Sequence, residues 1–232
     1  YDESMATYGV DAPDRRFGMK FVDVSKLLTS GEFQSFNQVV EAGGIVNAIC
    51  IEGGASWSRK ELDGLVEKAT SFGAKGLAWL KVEAGKLVGP IAKFYPIETQ
   101  GQLISDVKAV DGDLIAIVAG PTSMVRSVLH NVRTSIAREK GLMDPAKREF
   151  LWVERFPLVE YDADSKRWAA VHHPFTSPLL ETEEDKKNLA SDPGKVKARA
   201  YDVVLNGQEI GGGSIRINKS DIQSQMFELL GI

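Results

Sequence analysis

The chain has 232 residues, 43% hydrophobic and 26% charged, with a formal net charge of −4. That is the profile of a soluble globular protein of one or two domains, and it carries no overall basic bias of the kind that draws a chain to nucleic acid. No apolar run reaches the roughly 18 residues of a membrane-spanning helix. The opening YDESMATYGVD lacks the basic and apolar regions of a secretory signal and an initiator Met, so it reads as an internal piece of a longer chain. The single cysteine, Cys50, sits in the apolar run GIVNAICI and reads as a buried core residue in a cytosolic protein.

Residues 1–18 are mostly polar and irregular and end in PDRRFG, which reads as a connecting arm. Phe21–Val24 is a short expected strand, followed by one helical turn at Ser25–Leu28. Phe36–Val40 and Gly44–Ile51 are rich in β-formers and read as a pair of strands. Ser58-Arg59-Lys60-Glu61 has the capping-box pattern, and Leu62, Leu65, Val66 and Ala69 follow at helical spacing until Gly73. Leu77–Val82 and Lys86–Ala92 are expected strands joined through Glu83-Ala84-Gly85. Glu98–Val107 is a weakly signalled helix, and Leu114–Val118 is a buried strand. Pro121 opens a long helix with Val125, Val128, Leu129, Val132 and Ile136 on one side, ending at Gly141. This region has no paired catalytic acids, phosphate-binding glycine motif or metal-ligand cluster, and His130 stands alone in it.

After residue 142 the character changes. Glu149–Glu160 and Trp168–His173 read as an antiparallel hairpin around the loop 161–167. In a strand, neighbours face opposite sides, so one of His172 and His173 is expected to face any given pocket; the plainer reading is a strand end with one histidine packed and one wet. Glu181–Arg199 reads as a charged linker. Ser220-Asp221-Ile222-Gln223 looks like a second capping box, opening a last helix.

The densest chemistry lies in YDVVLNGQEIGGGSIR, Tyr201 to Arg216. Asn206-Gly207 between two β-prone runs is a strong hairpin signal, because both turn residues tolerate positive φ. It pairs Leu205 with Gln208, Val204 with Glu209 and, in an unbroken ladder, Asp202 with Gly211. Asp202 and Glu209 then share a face about 7–8 Å apart, a spacing at which two carboxylates can share a hard cation such as Mg²⁺. Gly211, Gly212 and Gly213 leave bare backbone for a flat ligand, and Arg216 offers a planar fork to a carboxylate or phosphate. A solvent-facing hairpin with a flexible glycine tail is the alternative. In an unbroken pleat Glu209 and Arg216 fall on opposite faces, so a shared pocket requires a bulge between them, most easily at the three glycines.

Three stretches together, YGVDAPDRRFG, WAAVHHPFT and ARAYDVVLNGQEIGGGSIRI, resemble the bacterial-type aspartyl-tRNA synthetases of class II, and in the order found there. The resemblance covers essentially the whole chain. It implies an α+β fold: an arm at 1–18, a GAD insertion domain of mixed α/β type at 19–141, and part of the class II antiparallel sheet flanked by helices at 142–232. It implies an ATP-dependent ligase that activates L-aspartate and transfers it to tRNA(Asp), with tRNA(Asn) as a second acceptor left open. The parent would be a cytoplasmic homodimer without membrane contact. By position, His172, His173 and Arg216 would bind aspartate. Asp202, Glu209, Gly211, Gly212 and Gly213 would serve ATP, with Asp202 and Glu209 holding Mg²⁺ through it. The family's second- and third-motif arginines are not among these residues, so the piece alone is expected to be inactive. The alternative is a non-catalytic GAD module that contacts tRNA or a partner protein.

Overall fold

The computed structural model describes residues 1–232. Its chain forms two compact units, one of residues 4–10 and 15–147, the other of residues 1–3, 11–14 and 148–232.

Residues 2–8, expected to be irregular, form helix α1 (Asp2–Tyr8), of which residues 4–8 belong to the first unit. In chain order come β1 (Val22–Asp23), α2 (Ser25–Leu28), α3 (Gln34–Glu41), β2 (Ile45–Ile51), α4 (Arg59–Ser71), β3 (Ala78–Glu83), β4 (Lys86–Val88), α5 (Ile97–Asp106), β5 (Leu114–Gly120) and α6 (Thr122–Glu139). The five strands form one antiparallel sheet in the order β1-β2-β5-β3-β4. Strand β5 lies at its centre, and that position explains its uninterrupted apolar run. Leu114, Ala116 and Val118 point into one core with Val125, Val128, Leu129 and Val132 of α6. Ile115 and Ile117 point into the other, with Leu28, Phe36 and Leu103 of the helices on that side. A strand buried on both faces needs no polar alternation.

The expected helix at Ser58–Gly73 forms with its reciprocal capping box, the Ser58 amide donating to Glu61 at 2.9 Å. The Glu83–Lys86 hairpin closes through Ala84 and Gly85, both at positive φ. Two expectations fail here. Phe36–Val40 is helix, not strand: Phe36, Val39 and Val40 recur at helical spacing, and that spacing packs them against the sheet. The strand expected at Lys86–Ala92 stops at Val88, because Pro90 has no N–H for the ladder, and the chain turns into a short 3-10 helix at Ala92–Phe94.

Two polar groups pin loops in this unit. Asp113 accepts from the amides of Gly53 and Val110, both at 2.9 Å, and contacts the Cys50 thiol. Burial first, and the Asp113 charge second, push that thiol up to about 12. Arg133 on α6 is fully buried, with its guanidinium over Phe17 (4.3 Å) and Tyr8 (5.0 Å), and donates to the Gly18 carbonyl at 2.9 Å.

The second unit contains β6 (Phe150–Glu154), β7 (Val159–Asp162), β8 (Arg167–Ala170), α7 (Glu183–Ser191), β9 (Ala200–Leu205), β10 (Gln208–Ser214) and α8 (Ser220–Leu230). A three-stranded antiparallel sheet runs β10-β9-β6, and β7-β8 is a separate hairpin. Val153, Ala200 and Val204 of the sheet pack with Phe156, Met226 and Leu230 in the core. The stretch 149–160 is therefore two strands rather than one hairpin arm. Arg155 takes a positive φ of 57° and Pro157 follows, so the chain leaves β9 and starts again beside β8. His172 and His173 lie beyond the end of β8, so strand alternation does not govern them. The charged linker contains α7, capped by Thr182 and Asp185 and anchored by buried Leu189. The second capping box does not form, because Ser220 is already the first helical residue and Lys219 holds the cap position.

Candidate functional site

The site is built on the β9–β10 hairpin. Asn206 (φ 52°) and Gly207 (φ 84°) make the two-residue turn that the sequence predicts. The Asn206 side-chain oxygen accepts from the Glu149 amide at 2.9 Å, which ties the turn to the residue preceding β6. Leu205 then pairs with Gln208 and Val204 with Glu209. Beyond that pair the register shifts: Val203 pairs with Gly211, and Asp202 with Gly212 instead of Gly211. Ile210 is the extra residue, 54% exposed. The required break in the pleat thus falls one residue ahead of the three glycines.

The inserted residue resets which side chains share a face. Glu209 and Asp202 end on the face that carries Gly212, Ser214 and, two residues further, Arg216. A Cβ added to Gly212 would run into Asp202 Oδ1 and lie 3.1 Å from Glu209 Oε1, so both carboxylates lean over that glycine. Gly211 and Gly213 face the other way, where a Cβ would meet Val203 (3.6 Å) and the Tyr201 hydroxyl (2.9 Å). The three glycines are therefore split between two faces, and only Gly212 lies under the acids.

Burial and then the neighbouring Glu209 charge push the Asp202 carboxyl above its ordinary value. His172 pulls it the other way, and Asp11 adds to the push. Two mutually repelling carboxylates on one face suit a hard cation that keeps waters and other ligands, since Mg²⁺ is commonly held by one or two carboxylates plus substrate phosphates. No group of three or more His, Cys, Asp or Glu side chains stands together at the site.

The HHPFT segment runs beside the end of this hairpin. Thr176 bridges Arg216 antiparallel. The Ile217 amide donates to Phe175 C=O at 3.0 Å, and the Ser177 amide to Ile215 C=O at 2.8 Å. The buried Thr176 hydroxyl lies 3.3 Å from the Ser214 hydroxyl and joins the two segments beneath Arg216. The His172 ring meets Phe156 edge-on at 4.7 Å between centroids. His173 Nδ1 accepts from the Phe175 amide at 3.2 Å, which leaves Nε2 as the protonated nitrogen of the neutral ring. Both histidines are exposed, and Arg216 is exposed without an ion pair. The structure thus gathers Asp202, Glu209 and Gly212 on one face, with Arg216 two residues past the end of β10 and bridged there to the histidine segment at Thr176.

Sequence reasoning missed Thr176, Ser214 and Asp11. The first two have a readable signal, since each is a small hydroxyl inside a stretch already singled out. Asp11 has none, because its approach to Asp202 depends on where residues 11–14 pack.

Residues 36–129 match the GAD domain family. The aspartate–tRNA ligase of Halalkalibacterium halodurans is 48% identical over 232 residues, all of this chain and 38% of that protein. That of Geobacillus kaustophilus is also 48% identical, with 39% of its length covered. The aspartate–tRNA(Asp/Asn) ligase of Bacillus subtilis is 47% identical over the same span, again 39% of its length. Among solved structures, a hypothetical protein from Pyrococcus horikoshii OT3 aligns with a TM-score of 0.28 at 25% identity, over 42% of this chain and 53% of that one, too slight a likeness to carry an argument. The chain spans under two-fifths of the length of the curated relatives it matches. Over its whole length it is similar to one segment of the bacterial aspartate–tRNA ligases, and residues 36–129 within that segment match the GAD domain family.

Proposed function

We propose that this chain is the part of an aspartate–tRNA ligase that supplies the amino-acid clamp and the acidic, metal-facing side of the adenylation site. The observation that supports the reading is the shift at Ile210, which sets Glu209 and Asp202 over Gly212, and Arg216, two residues past the end of β10, follows on that face in the proposed site.

In the reaction, the α-carboxylate of L-aspartate attacks the α-phosphorus of ATP and pyrophosphate leaves; the 3′-terminal ribose hydroxyl of tRNA then attacks the aspartyl carbonyl of the adenylate, AMP leaves, and the hydroxyl proton is released. Arg216 holds the aspartate side chain. Its guanidinium donates two parallel hydrogen bonds to a carboxylate, whereas the amide of asparagine presents only one acceptor oxygen. Asp202 and Glu209 would hold the Mg²⁺ that accompanies ATP, and the cation would supply charge neutralisation. Gly212 keeps the surface under those acids free of side chains. His172 and His173 line the aspartate side of the pocket from the loop that Thr176 fixes to Ser214. Positioning and charge stabilisation are the main catalytic terms for such a transfer. The arginines that clamp the α-phosphate in class II enzymes would come from parent sequence outside these residues, so the 232-residue chain alone should give no ATP–pyrophosphate exchange. The proposed setting is a cytoplasmic homodimer that acts on tRNA(Asp). Relatives named for Asp alone and for Asp/Asn stand at 46–48% identity, so identity does not choose between one and two acceptors.

Calorimetric titration of the chain with L-aspartate and L-asparagine tests this reading. Saturable aspartate binding, at least tenfold weaker for asparagine and lost in Arg216→Ala, is expected. Equal binding of the two amino acids, or aspartate binding indifferent to Arg216, would refute it.

A further inference from the structure

A cavity of about 860 Å³ opens in the first unit, between α3, the residues leading into β3, and the junction of β5 with α6. That is a size that accommodates small ligands and short peptide segments. Its walls are mainly apolar, with Phe36, Val39, Ile117 and Met124 among them. Nothing in the proposed ligase chemistry uses it.

One wall is an unfinished sheet edge. β5 pairs with β2 as far as Gly120 but with β3 only up to Ile117, opposite Ala78. Three residues of β5, Val118 to Gly120, therefore have a strand on one side only. The hydrogen-bond directions say which of them is open. Val82 N–H donates to Asp113 C=O at 2.9 Å, so the odd-numbered residues of β5 turn their amide and carbonyl towards β3. The pairing of β1 with β2 fixes the other side in agreement: Val24 N–H donates to Val46 C=O, which leaves Ile45 and Asn47 to serve Gly120 and Val118. Ala119 thus presents a donor and an acceptor with no strand opposite, and it lines the cavity. Lys75, exposed and outside every ion pair, stands on the same rim, directly ahead of Gly76.

We propose that this cavity binds the extended, apolar C-terminal end of a polypeptide. Its backbone pairs with Ala119 as a short added strand, its side chains enter the apolar space, and its terminal carboxylate meets Lys75. Pairing on an open edge supplies main-chain hydrogen bonds while pockets read alternate side chains. The lysine selects a chain end over an internal segment by charge.

The test uses the full 232-residue chain and an N-terminally fluorescein-labelled peptide, Gly-Ala-Val-Leu-Val with a free carboxylate, followed by fluorescence anisotropy. Saturable binding is expected. The C-terminal amide of the peptide, the peptide N-methylated at Leu, and the variant Lys75→Glu should each bind about tenfold more weakly, the effect of one strong hydrogen bond or ion pair. Ala42→Trp, on the exposed rim, should block binding while the melting temperature stays unchanged. The proposal is overturned if no saturable binding occurs, or if the amide and the N-methylated peptide bind as well as the parent. Octanoate binding as tightly as the peptide would also overturn it, in favour of a small amphipathic acid.

Discussion

The two sheets of this molecule solve the same problem differently. The five-stranded sheet is covered on both faces, and its central residues Ile115, Ala116, Ile117 and Val118 are wholly buried. The three-stranded sheet is packed on one face only. Its other face leaves Trp152 63% and Phe150 58% exposed, with Tyr201 beside Trp152 at a ring distance of 5.9 Å. The sealed sheet can be apolar along its central strand, and β5 carries no ionisable side chain from Leu114 to Gly120. Asp202 shares the packed face of the other sheet, opposite Val153, but it is only half-buried, and Glu209 and Gly212 on the edge strand β10 stay exposed, so water still reaches the acids. Candidate chemistry sits where burial is incomplete, and stability sits where it is complete.

The largest effect should separate the sheets directly. Ile117→Ala removes a side chain packed in the second core of the five-stranded unit and should cost about 2–5 kcal/mol in urea denaturation. Trp152→Ala, on the open face, should cost under about 1 kcal/mol. Similar losses at the two positions would erase the distinction.

A second comparison lies inside the glycine triplet. Gly212→Ala drives a methyl into the Asp202 carboxylate, the free end of a half-buried side chain that can turn aside, and should cost about 1 kcal/mol in thermal unfolding. Gly211→Ala meets only Val203 at 3.6 Å and should be close to neutral. If both were neutral, the acids would not lean over Gly212.

Much of this was legible in the sequence. Asn206-Gly207 fixes the hairpin and its first two pairs, the alternation-free run at Leu114–Val118 signals a doubly buried strand, and Ser58-x-x-Glu61 marks α4. What was not legible has physical causes. A bulge leaves no periodic trace in a stretch that is mostly glycine; the one hint was the parity conflict between Glu209 and Arg216. The α3 segment carries β-branched residues, but their spacing and the sheet beneath them override that propensity. The Thr182-x-x-Asp185 cap was hidden inside a run of charges that reads as a solvated linker. The break between β6 and β7 rests on Arg155 at positive φ, which no composition rule anticipates.

A smaller effect concerns pH. The Asp202 carboxyl is held above its ordinary value by burial and by Glu209. The folded state then binds its proton more tightly than the unfolded state. The stabilisation from that proton is present at acidic pH and is lost as pH rises through the raised value. Asp202→Asn removes the penalty of the ionised form. It should be more stable than the parent by a few tenths of a kcal/mol at neutral pH, a gain kept small by solvent screening, and the advantage should vanish near pH 3. An advantage that is equal at both pH values would point to packing rather than charge. The smallest expected signal is chemical: with its thiol at about 12, Cys50 should resist iodoacetamide at neutral pH in the folded chain and react once unfolded.

The register of β9 against β10 is the geometric claim on which the proposed site depends, and nuclear Overhauser contacts between α-protons read it directly. The account predicts a strong contact between Asp202 and Gly212, with Val204 against Glu209 and Ile210 unmatched. A contact between Asp202 and Gly211 in its place would mean a regular ladder, with Glu209 and Arg216 on opposite faces, and would contradict the shared site.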